Sequence, residues 1–231
     1  MATTIRLVTV IVTILIASVA AFDYCQIQSC QKGQHTMCKY FSKKPGKTCN
    51  KFQRTSISSD ERNEILKVHN MFRKTVANGK EPRGSPGPQP AGIIKDLKWD
   101  KELANIAQRW ANQCVDGHDE CRNTKTFGYV GQNWALMGDS RGWTATMTGL
   151  IKGWYEEVQY YNKNNVEKFR RNYGPVTGHY TQMVWGQTTH IGCGVARYYR
   201  KGYYTTVLVC NYGPGGNILD RPVYQIKQRK N

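Results

Sequence analysis

Acidic side chains are scarce in this chain: 16 Asp and Glu stand against 33 Lys and Arg, a formal net charge of +17 at pH 7. A field of that sign attracts anionic partners such as sulfated glycans and acidic lipid surfaces. The basic residues are scattered, and only Lys227, Arg229 and Lys230 end the chain as a run, so the charge reads first as solubility in a secretion. No nucleic-acid motif accompanies it, and nucleic acid is not an expected partner. After Ala21 no second long apolar run occurs, so no transmembrane segment is expected in the rest of the chain. The cysteines include no C-x-x-C pair, which disfavours a structural zinc site. H-E-x-x-H is missing, which excludes the zinc-protease helix. No N-x-S/T sequon is present, so no N-linked glycan is expected.

What is present begins with a secretory pattern. Arg6 supplies a positive end, Leu7 to Ile16 an apolar centre, and Ser18, Ala20 and Ala21 a small-residue cleavage site. Residues 1–21 therefore read as a signal peptide, and the mature chain as secreted and extracellular. All eight cysteines follow it, an even number that favours disulfides in an oxidising compartment.

Residues 22–57 carry four of those cysteines among Lys, Gly, Ser and Pro, with little apolar periodicity. Such a segment cannot build a core alone and is expected to be a looped arm stapled to a body formed by residues 58–231. In that body Ser58 and Glu61 form a capping box ahead of Ile65, Val68, Phe72 and Val76 at helical spacing, and Asn78-Gly79 supplies the stop. The proline-rich stretch 81–90 is an extended connection. A second helix follows Asp100, with Leu103, Ile106, Ala107, Trp110 and Cys114 on one face. A third is expected from about Thr146 to Tyr161. Further strands are expected near Gly131 to Leu136 and in His179 to Trp185, the latter alternating like a strand though a helical turn is the alternative.

The segments His190–Tyr199 and Tyr203–Asn211 read as a hairpin about Lys201-Gly202. If that turn has two residues, Cys193 falls opposite Cys210 at a separation a disulfide tolerates. The other six cysteines leave fifteen pairings open.

Two long segments, Gly178-His-Tyr-Thr-Gln-Met-Val-Trp185 and Val207-Leu-Val-Cys-Asn-Tyr-Gly-Pro-Gly-Gly-Asn217, resemble the signatures of the CAP superfamily of cysteine-rich secretory, antigen 5 and pathogenesis-related proteins. With Trp110-Ala-Asn-Gln-Cys114, Gly117-His-Asp-Glu-Cys-Arg122, Val130-Gly-Gln-Asn133, Trp154-Tyr-Glu-Glu157 and the cysteine-rich arm, nearly the whole mature chain is similar to the venom allergen 5 (antigen 5) family of insects. The resemblance implies an α+β fold, a disulfide-stapled three-layer α-β-α sandwich. It also implies pairing of Cys25 with Cys38, Cys30 with Cys121, and Cys49 with Cys114. It further implies a cleft lined by His118, Gln132, Glu157 and His179. Two imidazoles and a carboxylate suit a divalent metal, but neutral Gln132, where many relatives carry Glu, makes any such metal weakly bound and no cofactor required.

Glu157 has some support from spacing, since it shares a helix flank with Leu150, Trp154 and Tyr161. His35, His69 and His190 have no partner at ligand spacing and read as structural or surface residues. With no activated nucleophile in view, no enzyme is expected; the resemblance implies a venom or salivary protein, a monomer that acts on host or victim proteins and is an allergen in recipients. The alternatives are a carrier of sterol or fatty acid and a weak metal-dependent hydrolase.

Overall fold

The computed structural model describes residues 23–53 and 56–228. The signal peptide assigned to residues 1–21, and Arg229 and Lys230 of the basic end, lie outside the described residues. The helices are α1 (Thr36–Lys39), α2 (Ser59–Ala77), α3 (Lys101–Ala111), α4 (Met147–Glu156) and α5 (Gly178–Val184). The strands are β1 (Gly92–Ile93), β2 (Lys98–Trp99), β3 (Gly131–Asp139), β4 (His190–Arg200), β5 (Tyr203–Gly213) and β6 (Gln225–Ile226). β1 and β6 form a small ribbon, and the main sheet runs in the order β2-β4-β5-β3.

The hairpin β4–β5 turns through Lys201 and Gly202, both with positive φ, the backbone a tight two-residue hairpin requires. Its register pairs Cys193 with Cys210, which are bonded at a Cα separation of 4.1 Å. Side chains alternate across this sheet. Cys193, Val195, Leu208, Cys210 and Tyr212 join the large core beneath α2, α4 and α5. Ala196, Tyr198, Val207 and Val209 face the other way onto Ala107, Trp110 and Ala111 of α3. The result is helix, sheet, helix in three layers. At the α3 face Gly192 and Gly194 let the helix lie directly on β4, because a Cβ on Gly194 would stand 2.3 Å from the backbone of Gln108.

The arm completes the smaller core, where Tyr40, Cys49 and Phe52 pack against that α3 face. Cys30–Cys121 and Cys49–Cys114 tie it to the body across 91 and 65 residues, and Cys25–Cys38 closes a loop within it. His35, expected in a loose segment, is 1% exposed. Its Nδ1 accepts from the Met37 N–H at the start of α1, and its Nε2–H donates to the Asn123 carbonyl at 2.8 Å. Burial lowers its pKa, and the arm at this point is docked.

Two elements differ from the sequence reading. The third helix stops at Glu156 and tightens into a 3₁₀ turn over Glu157–Tyr160, so Glu157 sits at its end rather than along its flank. The ambiguous 178–184 segment is helical. Thr177 provides no side-chain cap; instead Glu157 Oε2 accepts the N–H groups of His179 and Tyr180 at 2.9 and 3.1 Å. A carboxylate at the otherwise unsatisfied start of a helix decides helix over strand, and it comes from a different part of the sequence.

The far end of α5 is held by Arg73 of α2. This fully buried guanidinium donates to the carbonyls of Lys95, Met183, Trp185 and Thr188 at 2.7–3.0 Å. The proline-rich stretch is likewise fixed to the body, because Glu81 accepts from Arg83 Nε and from the Tyr155 hydroxyl, each at 2.7 Å.

Candidate functional site

Where α4 passes beside the edge strand β3, a cleft of about 580 Å³ opens between Trp134–Met137 of β3 and Gly149, Leu150, Gly153 and Trp154 of α4. His118, Glu157 and His179 line the same cleft. Gln132, one turn of pleat before Trp134, touches His118, so all four residues expected in the cleft meet there.

Their oxygen atoms are already occupied. Gln132 Nε2 donates to Asp119 Oδ1 and Asn211 Oδ1, both at 2.9 Å. A carboxylate only accepts, so the amide nitrogen must face Asp119 and the amide oxygen must face His118 Nδ1, which lies at 2.7 Å. The Nδ1 proton is therefore fixed by its acceptor, and Nε2 is left bare. Packing around the exposed His118 side chain lowers its pKa by desolvation, which favours the neutral ring. Glu157 is the Nδ1 acceptor of the second imidazole: Oε1 lies 2.6 Å from His179 Nδ1 while Oε2 takes the two backbone N–H groups. The arrangement is a pair of imidazoles, each gripped at Nδ1 by an acceptor, with Nε2 free as a lone-pair donor.

This division of labour also explains why glutamine suits position 132. A glutamate there would set an acceptor against Asp119 and Asn211, and the buried bonds of the amide nitrogen would be lost. Asp119 is itself buried, and it accepts from Arg122 Nε at 2.5 Å and from the Thr36 hydroxyl of the arm. The arm thus reaches His118 through Thr36, Asp119 and Gln132.

A second chain of bonds supports His179 from below. Asn133 Nδ2 donates to the His179 carbonyl at 3.0 Å and to the Tyr212 hydroxyl at 3.2 Å. His69 Nδ1–H donates to the Ile65 carbonyl at 2.8 Å, so its Nε2 accepts from Tyr212 at 2.9 Å. Full burial brings the His69 pKa down to about 4 and keeps it neutral in this role. Trp154 lies nearly parallel to the His179 ring, 6.0 Å between centroids, and its Nε1–H donates to the Trp134 carbonyl.

Asp119, Asn133 and Tyr212 went unassigned in the sequence. Asp119 lies within the Gly117–Arg122 motif, so adjacency to His118 was its one available signal. Among the described residues no group of three or more His, Cys, Asp and Glu side chains is placed to hold a metal ion. The structure offers two imidazole nitrogens, with the nearby carboxylates spent on holding side chains in place. No helix among the described residues is long and apolar enough to cross a membrane.

Comparison with known proteins agrees with this architecture. The chain is 47% identical over 225 residues to a venom allergen 3 homolog of Dinoponera quadriceps, covering 95% of this chain and 96% of that one. It is 48% identical over 209 residues to venom allergen 5.02 of Dolichovespula maculata, covering 90% and 96% of the two chains. Among solved structures, NaASP2 with Zn2+ matches with a TM-score of 0.62 and 27% identity, over 76% of this chain and 90% of that one. The model of the cysteine-rich secretory protein (CAP) family matches residues 66–212, which hold the whole cleft. With that span and those identities, this chain belongs to the CAP family.

Proposed function

We propose that the chain is an exported venom protein of the antigen 5 type that works by binding a ligand in this cleft rather than by catalysis. Four disulfides with no free cysteine among the described residues suit an oxidising fluid, and the similar curated proteins carry the name venom allergen. Allergenicity describes the recipient's antibodies and leaves the native work to the cleft.

The observation that carries the reading is the paired Nδ1 grip on His118 and His179 in a cleft whose lining holds no Ser, Thr or Cys. Covalent catalysis needs a nucleophile beside its base, and here the bases have none to activate. Glu157, with three donors on its two oxygens, is likewise engaged. What remains is a pair of imidazole Nε2 atoms above apolar walls, a recognition surface in chemical terms.

NaASP2 was solved with Zn2+. In this chain His118 Nε2 and His179 Nε2 would hold such a cation, since Glu157 is already engaged by His179 and two backbone N–H groups. A bound cation would supply a positive charge and open coordination positions to an anionic ligand group. The two-ligand set makes the site weak.

Calorimetric titration of the purified chain with zinc at pH 7.5 tests this. The expected result is one weak site that His179→Ala removes. Peptidase and esterase assays of the same samples are expected to stay at the level of buffer, with and without chelator. Turnover that vanishes in His179→Ala would make the cleft catalytic and overturn the binding reading.

A further inference from the structure

The cleft has a backbone wall as well as side chains. β3 is the edge of the four-stranded sheet, nine residues long and paired only with β5. Which of its peptide groups face outward follows from two separate observations. Cys193 and Cys210 sit 4.1 Å apart at Cα, the close spacing of a non-hydrogen-bonded pair. The Cys210 peptide groups therefore point away from β4 and toward β3, where their partner is Asn133. By alternation, Asn133, Ala135 and Met137 bond inward, and Gln132, Trp134, Leu136 and Gly138 turn their N–H and C=O groups to the free edge. The Trp134 carbonyl does point outward, since it receives Trp154 Nε1–H.

Leu136 and Gly138 have no backbone partner on that side among the described residues. Leu136 and Met137, exposed by 38% and 44%, project to opposite faces of this edge. Four consecutive residues, Trp134–Met137, line the cleft, which happens only when a cavity runs along a strand's edge rather than across its face. Opposite, α4 leaves the space open with Gly149 and Gly153; a Cβ at Gly153 would meet nothing within 4 Å.

We infer that this groove takes an extended polypeptide segment, which adds to β3 as a fifth strand and runs toward the two imidazoles. A row of alternating donors and acceptors is complementary to another extended backbone, and the outward groups of Leu136 and Gly138 offer such a row beyond the Trp134 carbonyl, which Trp154 already engages. Exposed Leu136 and Tyr203 on one face and Met137 with Leu150 on the other favour apolar side chains on both sides of the bound strand. The inference rests on the cleft being a ligand site and needs no metal.

The test selects binders from a random octapeptide display library on the folded chain in the presence of EDTA. Each selected peptide is remade with N-methyl groups on one or the other alternating set of amides. In the free protein the Leu136 and Gly138 amides are expected to exchange with solvent rapidly, and Ala135 and Met137 slowly. Bound peptide is expected to slow exchange at Leu136 and Gly138 at least tenfold. Methylation of the strand-facing set is expected to weaken binding more than tenfold, and methylation of the other set to leave it within threefold. A selection that yields no binder, or binders that leave those two amides exchanging at the free rate, overturns the inference. So does a dimer that protects them without peptide. Zinc binding in the same preparation remains a separate result, so the two readings fail independently.

Discussion

Arg73→Met is expected to destabilise the chain by roughly 4 kcal/mol, since breaking a buried charged network strands the groups left behind. Methionine approximates the length of the arginine stem but donates nothing. The carbonyls of Lys95, Met183, Trp185 and Thr188 then lose a shared donor inside the protein. Two of them end α5, where a positive charge is also favoured by the helix dipole. Arg73→Lys is expected to recover part of the loss, because one ammonium with three protons cannot reach all four oxygens. Urea denaturation with disulfides intact measures both. A loss below about 1 kcal/mol for Arg73→Met, the level of an ordinary surface change, would contradict the role given to Arg73. Since His179 lies in the first turn of α5, the methionine variant is also expected to bind zinc more weakly.

The second large effect is expected at a position where one methyl group is added. In Gly194→Ala the new Cβ would stand 2.3 Å from the N and Cα of Gln108. Those are backbone atoms of α3, so no rotamer change relieves the contact. The helix must retreat from β4, opening the core around Ala107, Trp110 and Tyr198, at a cost of about 3 kcal/mol or more. Gly128→Ala is the matched control, with nothing within 4 Å of its new methyl, and is expected to shift stability by no more than about 0.5 kcal/mol. Equal stabilities for the two variants in thermal denaturation would rule out the close approach of α3 to the sheet.

These two residues mark where the sequence stops being legible. The hairpin register could be counted, because side chains alternate with period two and a two-residue turn leaves one pairing of Cys193. The Ser58–Glu61 capping box could be read because both partners lie within one turn. Arg73 could not. It follows Phe72 directly, and nothing local distinguishes it from a solvated cation on the polar side of α2. The same limit hid the helical state of 178–184, which depends on Glu157, and the end of α4, where Glu157 turns aside to reach it.

In the cleft, the resemblance to antigen 5 proteins supplied four positions, but it gave no division of roles among them. Gln132 looked like a lost charge. Its function as an oriented amide depends on Asp119 and Asn211, 13 and 79 residues away, and so appears only once the sheet and the Gly117–Arg122 loop are folded together. Glu157 looked like a ligand, and its contacts make it the holder of His179. Residue types alone do not separate a metal ligand from the group that orients one.

In the cleft, Gln132 Oε1 and Glu157 Oε1 hold a proton on Nδ1 of His118 and His179 and leave each Nε2 bare. Long-range proton–nitrogen NMR of the histidine side chains, recorded at pH 8 with EDTA, measures this atom by atom. A protonated Nδ1 and an unprotonated Nε2 are expected for His118 and His179 alike. A proton on Nε2 of either ring would contradict this.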